Sequence, residues 1–221
     1  MALDKNNVAD EVGTGKLILR CTLGSPFSRK IRVAVIVLGL SEHVEIQNCK
    51  PSDPNDTLRI QNPLGKMPTL VLPDGTAVYD SPVILEFLQD YKGTNQLIPA
   101  GGMTRIRALT RIALCDGIME AGLAISNESR WRAVEKHEEK WLQYQREKML
   151  RGLSAFERDL SDPAVTDAVS IGLAVTLDYI DWRKHVEWRQ PNPKLVAWYE
   201  KFGALEPAFH QTDRPAGYGN A

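Results

Sequence analysis

The stretch GSPFSRKIRV, Gly24 to Val33, decides how the rest of the chain is read. It sets a hydroxyl, Ser25, directly before a proline and then begins an amphipathic run. A proline at the first helical position loses no helical hydrogen bond, and a serine before it can cap the free N–H groups, so Ser25-Pro26 marks a helix start. Apolar residues follow at Phe27, Ile31, Ala34 or Val35, and Leu38, which is helical spacing, and Gly39 supplies the stop. Upstream, KLILRCT (Lys16 to Thr22) is short and β-prone; downstream, HVEIQN (His43 to Asn48) alternates. Strand, helix, strand is a βαβ unit, which makes the two strands parallel.

Working outward, Lys50 to Gln61 carries Pro51 and Pro54 and reads as a loop with room for one helical turn. In PTLVLPDGTAVYD, two β-prone runs flank Pro73-Asp74-Gly75, the pattern of a hairpin. SPVILEFLQDY is a second helix opening on Ser-Pro, closed by Gly93. The result is a small α/β layer in which a hairpin is added to a βαβ unit. Gly93 to Gly102 is turn-rich and forms a linker. After Met103 no strand pattern remains. Met103 to about Ser129 is one helical stretch, and Trp131 to Leu160 is a second whose charged face is a solvated one. DAVSIGLAVTLDYIDW (Asp167 to Trp182) is apolar nearly all round and is expected to be a central buried helix, with Asp167 and Ser170 at its cap. A last helix starts near Pro193, and TDRPAGYGNA is an irregular tail. The expected organisation is a loose extension (1–15), an α/β domain (16–93), a linker (94–102) and an all-α domain (103–221).

Composition narrows the function classes. A formal net charge of -1 gives no global pull toward nucleic acid or membrane, so neither is expected as a partner. The three cysteines, Cys21, Cys49 and Cys115, are scattered and odd in number, which fits a reducing compartment, so a cytoplasmic protein is expected. The four histidines lie far apart and none pairs with a cysteine at metal-ligand spacing, so no metal is expected.

Three places carry candidate chemistry. Ser25 lies between a strand's C-terminal end and a helix N-terminus, where α/β layers bind ligands and where an anion such as a thiolate is favoured. On its own, Ser-Pro at a helix start reads first as a helix cap alone. Pro68 opens a strand, and a cis Met67–Pro68 bond would turn the backbone groups of Met67 sideways; a trans proline is the commoner case. Asp80 and Ser81 stand at the mouth of the second helix. Ser81 either caps that helix or, with its N-terminus, receives a carboxylate while Asp80 pairs with an ammonium.

In this order and spacing, SPFSRKIRVAV, NPLGKMPTLVLPDG, YDSPVILEFL and the helical half with its apolar central helix resemble a glutathione S-transferase, of the serine type found in bacteria, over almost everything after Lys16. The resemblance implies a thioredoxin-like N-terminal domain that binds glutathione as co-substrate, an all-α C-terminal domain, and a homodimer. It implies that Ser25 donates a hydrogen bond to the glutathione sulfur, with Phe27 beside it. Met67 would meet the cysteinyl unit, and Asp80 with Ser81 the γ-glutamyl group. Lys50 would meet the glycyl carboxylate, with Lys66 as its alternative. Ser28 is the fallback for Ser25. The implied activity is transfer of glutathione to a small apolar electrophile held between the domains, a detoxification chemistry, with Leu23, Phe27, Met119 and Leu123 as expected acceptor-pocket residues. The alternatives are a glutathione-dependent isomerase, whose acidic second substrate would need cations such as Arg29, Arg130 and Arg132, a dehalogenase or peroxidase, or a non-catalytic ligand-binding or interaction protein. Cysteine at the Ser25 position would bring disulfide chemistry, which serine disfavours; Cys21 is expected to be a buried small hydrophobe.

Overall fold

The computed structural model describes residues 8–50 and 52–218. Its elements begin with α1 (Val8–Val12), β1 (Leu17–Cys21), α2 (Pro26–Val37), β2 (Val44–Asn48) and the single turn α3 (Leu58–Gln61). The strands β3 (Thr69–Val71) and β4 (Ala77–Val78) and the helix α4 (Ser81–Lys92) follow. Residues 8–12, expected to be loose, are therefore helical, and α1 lies against α4; residues 1–7 of that expected extension fall outside the described part.

The four strands form one sheet in the order β2-β1-β3-β4. β1 runs parallel to β2, with Leu17 opposite Val44 and Cys21 opposite Asn48, as the βαβ reading requires. β3 is antiparallel to both β1 and β4, which is the expected hairpin. Burial follows position: β1, an inner strand, buries Leu17, Leu19 and Cys21 completely, whereas β2, an edge, exposes every residue after Val44. Both predicted stops hold. Gly39 and Gly93 have φ of 66° and 71°, a backbone region that glycine enters without a Cβ clash.

The helical part consists of α5 (Gly102–Trp131), α6 (Glu139–Arg158), α7 (Ala168–Arg183), α8 (Pro193–Leu205) and α9 (Pro207–Gln211). The second expected helix starts at Glu139 rather than at Trp131. Residues 134–136 form a separate 3-10 turn, and Glu138 caps α6 by accepting the N–H of Lys140. α7 buries every residue from Ala168 to Leu177, so its lack of an amphipathic stripe is the mark of a core helix. Its cap is reciprocal. The Asp167 carboxylate accepts the N–H groups of Val169 and Ser170 at 2.9 and 2.8 Å, and the Ser170 hydroxyl oxygen accepts the Asp167 N–H at 2.9 Å. Helices α5 and α6 approach closely at Gly152, where an added Cβ would sit 2.7 Å from the Ile118 side chain.

The chain divides into two compact units: residues through Arg105 together with the segment from Ala208 on, and Ile106–Pro207. This differs from the expected division, which gave all of 103–221 to the helical domain. The C-terminal segment belongs with the α/β unit because Arg29 of α2 bonds to Phe209, Thr212 and Asp213.

Candidate functional site

Sheet topology alone brings the candidate residues together. The C-terminal end of β1, which leads to Ser25, lies beside the N-terminal end of β3, because Arg20 faces Thr69 in an antiparallel pair. Met67 and Pro68 immediately precede β3. The C-terminal end of β4, which leads to Asp80 and Ser81, also adjoins the start of β3, with Val78 facing Leu70. β2 is parallel to β1, so Lys50 emerges at that same end. Cys49 ties the loops to one another: its N–H donates to the Cys21 carbonyl at 2.9 Å, and its Sγ lies 3.9 Å from Sδ of Met67.

Ser25 is the N-cap of α2, in an extended backbone conformation. Its Oγ accepts the N–H of Ser28 at 3.2 Å. A hydroxyl that accepts still has its own proton to donate, so capping and ligand binding are compatible at this atom. Ser25 and Phe27 are each half-buried. Ser28 is fully buried and its Oγ has no hydrogen-bond partner, which removes it as a substitute for Ser25.

The Met67–Pro68 bond is cis. Two buried side chains that the sequence reading missed hold the loop before it. Asn62 donates through Nδ2 to the Lys66 carbonyl at 3.0 Å and to Thr69 Oγ1 at 3.1 Å, and its Oδ1 accepts the Leu64 N–H at 3.0 Å. Thr69 donates its hydroxyl to the same Lys66 carbonyl at 3.0 Å. An asparagine and a threonine seven residues apart across a Pro-Leu-Gly turn are visible in the sequence; only the fold shows that they meet.

At α4 the roles within the Asp-Ser pair differ from the cap reading. Asp80, not Ser81, is the N-cap, and its carboxylate makes no capping bond. It is exposed, while Ser81 is buried in the first turn. The carboxylate is thus available to a ligand's ammonium at the mouth of the helix.

Both lysine candidates are exposed, on fixed backbone. Asp56 accepts the Lys50 N–H at 2.6 Å through Oδ2, and through Oδ1 the Leu58 N–H at 2.8 Å and Arg20 Nη2 at 2.7 Å. The N–H groups of Lys50 and Leu58, with the Arg20 charge, hold the Asp56 carboxyl below the usual carboxylate range. Arg20 is itself buried and donates to Thr57 Oγ1 and Gln61 Oε1 at 2.8 and 2.7 Å, so one guanidinium ties β1 to the proline-containing loop.

The cysteines are buried. Burial pushes the Cys21 thiol up to about 11, so it stays protonated and behaves as the expected small hydrophobe. Of the expected acceptor-pocket residues, Leu23, Phe27 and Leu123 are half-buried, but Met119 is fully buried in the helical core and offers no surface to a ligand. Of the three cations, Arg29 is buried against the C-terminal segment, Arg132 pairs with Glu128 at 3.1 Å, and Arg130 is exposed. Among the described residues no group of His, Cys, Asp or Glu could hold a metal ion, and no helix is long and apolar enough to cross a membrane.

Residues 24–90 match the family model for the glutathione S-transferase N-terminal domain. The chain is 32% identical over 196 residues to the uncharacterized GST-like protein YibF of Escherichia coli K12, a match spanning 86% of this chain and 95% of that protein. A glutathione transferase family member from Pseudomonas fluorescens Pf-5, solved with bound glutathione, is similar at 39% identity with a TM-score of 0.85 over 91% of this chain and 100% of that one. A glutathione S-transferase from Methylobacillus flagellatus KT, solved with glutathione bound, is similar at 28% identity with a TM-score of 0.81 over 90% of this chain and 99% of that one.

Proposed function

This chain belongs to the glutathione S-transferase family, and from that premise we propose that it binds glutathione at the strand end described above and transfers it to a small apolar electrophile. The carrying observation is the state of Ser25: its oxygen is engaged by the Ser28 N–H, and its proton remains to be donated at a helix N-terminus. A thiol is a nucleophile only as its thiolate, and a free thiol is mostly protonated at neutral pH. A donated hydrogen bond and the positive end of α2 both favour the anion.

The proposed roles are those the family resemblance implies, and the shared strand end supports them. Ser25 donates to the sulfur, with Phe27 beside it. The backbone of Met67 pairs with the cysteinyl unit of glutathione, in the manner of an added strand. Asp80 pairs with the γ-glutamyl ammonium, and Ser81 with the N-terminus of α4 receives its carboxylate. Lys50 takes the glycyl carboxylate; Lys66 is the other exposed cation next to Met67. In the transfer, the thiol proton leaves to solvent and the sulfur's electron pair forms a carbon–sulfur bond. The electrophile's leaving group departs with its electrons or, in an addition, the adjacent carbon takes a proton. Ser25 keeps its proton throughout and needs no histidine relay. The burial of Arg29 away from solvent removes it as the cation that the isomerase alternative needs for an acidic second substrate and leaves exposed Arg130 for that role. A homodimer is supported by exposed Val83 on α4 and by Met103 and Ile106, which share one face of α5.

The test is the ultraviolet thiolate absorbance of glutathione bound to the protein, followed across pH in wild type and Ser25→Ala. A lowered thiol pKa in wild type that the variant loses, at unchanged glutathione affinity, is the expected result. An ordinary thiol pKa in both proteins would mean that Ser25 is a cap alone and that the chain binds without activating.

A further inference from the structure

We propose that Arg29 is a positioning residue for Ser25 and that it acts through the segment Phe209–Asp213, which thereby becomes part of the glutathione site; this rests on the function proposed above. Arg29 is 1% exposed, although guanidinium is the most reluctant of side chains to give up its charge. A buried cation is tolerated only where its hydrogen-bonding groups are met. Here several are met by one short stretch near the other end of the chain. Nε donates to Thr212 Oγ1 at 3.2 Å, and Nη2 donates to the Phe209 carbonyl at 3.0 Å and forms an ion pair with Asp213. The guanidinium carbon also stands 4.4 Å from the centre of the Phe209 ring. Thr212 is itself 1% exposed, and its hydroxyl donates to the Phe209 carbonyl at 2.8 Å, so the receiving segment is braced as well.

The link to Ser25 is direct. The Arg29 N–H donates to the Ser25 carbonyl at 3.0 Å, closing the first turn of α2. Residues four apart share a helix face, so a planar fork locked on three acceptors fixes the rotation of the turn on which the Ser25 hydroxyl rides. A shift of the turn by a fraction of an ångström would misdirect the hydroxyl and the first N–H groups together. Nothing else in the site calls for residues after Pro207, yet they belong to the same compact unit as Ser25.

The experiment uses the full chain with Thr212→Val and Asp213→Ala, which loosen the clamp from its far side and leave the buried arginine in place. Amide hydrogen exchange is read over residues 26–33, with α7 as internal control, and the thiol pKa of bound glutathione is measured in each protein. The expected result is exchange at Arg29 and its neighbours faster by about tenfold with α7 unchanged, and a bound thiol pKa raised by about half a unit or more. Faster exchange confined to residues 207–218 would overturn the proposal, because the segment would then have detached without α2 responding. Faster exchange in α2 with an unchanged thiol pKa would overturn it too, leaving Arg29 a structural anchor only. If wild type itself lowers no thiol pKa, the glutathione-activation reading fails, and with it the positioning role; exchange in α2 then reports on anchoring alone.

Discussion

The Ser25 hydroxyl oxygen accepts the Ser28 N–H at 3.2 Å, so the atom proposed to meet the glutathione sulfur also closes the start of α2. The two duties can be separated. Alanine at an N-cap costs about 1 kcal/mol, whereas glycine costs only a few tenths. We predict that Ser25→Ala lowers unfolding free energy by about 1 kcal/mol and Ser25→Gly by much less, while both lose the lowered thiol pKa equally. Urea unfolding beside the thiolate titration checks this. A glycine variant that keeps the thiolate would mean that the donor is another group.

His185 predicts a pH dependence above the carboxylate range. Its Nε2 lies 2.9 Å from Ser126 Oγ, and its ring packs 5.2 Å from that of Tyr179. Burial, with the Arg183 and Arg146 charges adding to it, pulls the imidazole down to about 4. In the unfolded chain it takes a proton near pH 6.5, so between these values the unfolded state binds more protons. Stability is therefore full above about pH 6.5 and falls as pH drops toward 4, by about 2 kcal/mol once solvent access to the ring is allowed for. His185→Gln should flatten urea-derived stability over that window; an unaltered slope would mean that other groups produce it.

Asp56 acts in a lower window. Its carboxyl is held below the value of about 3.9 expected in the unfolded chain. A depressed carboxylate gives stability that is present above the unfolded pKa and is lost as pH falls through the folded one. Asp56→Asn should therefore make the acid limb below about pH 4 shallower. It should also free the Lys50 backbone, read as faster exchange at that amide. An acid limb identical to wild type would rule Asp56 out as a contributor.

The Asp167 carboxylate serves two N–H groups of α7, and Ser170 answers it. Because α7 is the buried centre of the helical unit, losing this cap exposes the start of the core. Asp167→Ala should cost about 1–2 kcal/mol in chemical unfolding, with the glutathione thiol pKa unchanged, since α7 takes no part in the proposed sulfur site. A loss of the thiol shift in a folded Asp167→Ala protein would contradict that separation.

Much of the fold was legible because local signals agreed with one another. Ser25-Pro26, Gly39 and Gly93 punctuate helices by backbone chemistry that needs no tertiary partner, and Pro73-Asp74-Gly75 turns the hairpin in the same way. The start of α6 was misread because the apolar spacing runs on through Trp131 and Val134, which face solvent at 76% and 79% exposure. The true start is capped by a glutamate, a weak sequence signal. Arg29 and Ser28 were illegible for a different reason. Within a run such as SRKIR, a cation or a hydroxyl gives no sign of which face it is on, and the buried Arg29 is received by Phe209, Thr212 and Asp213, far off in the chain. Asn62 and Thr69 share that character: each is an ordinary polar residue until the loop folds over it.

The distance along the chain between Arg29 and its acceptors has a consequence for biosynthesis. Phe209 and Thr212 lie 180 and 183 residues further on. A ribosome delivers α2 and the whole sheet early, when domains ordinarily fold as units from the N-terminus. Here the buried guanidinium has no Phe209 or Thr212 to close on until all of α5 to α8 has been made. The unit that holds Ser25 is begun before α5 to α8 and closed only after them, and a nascent chain stalled before residue 209 would carry that unit without its clamp.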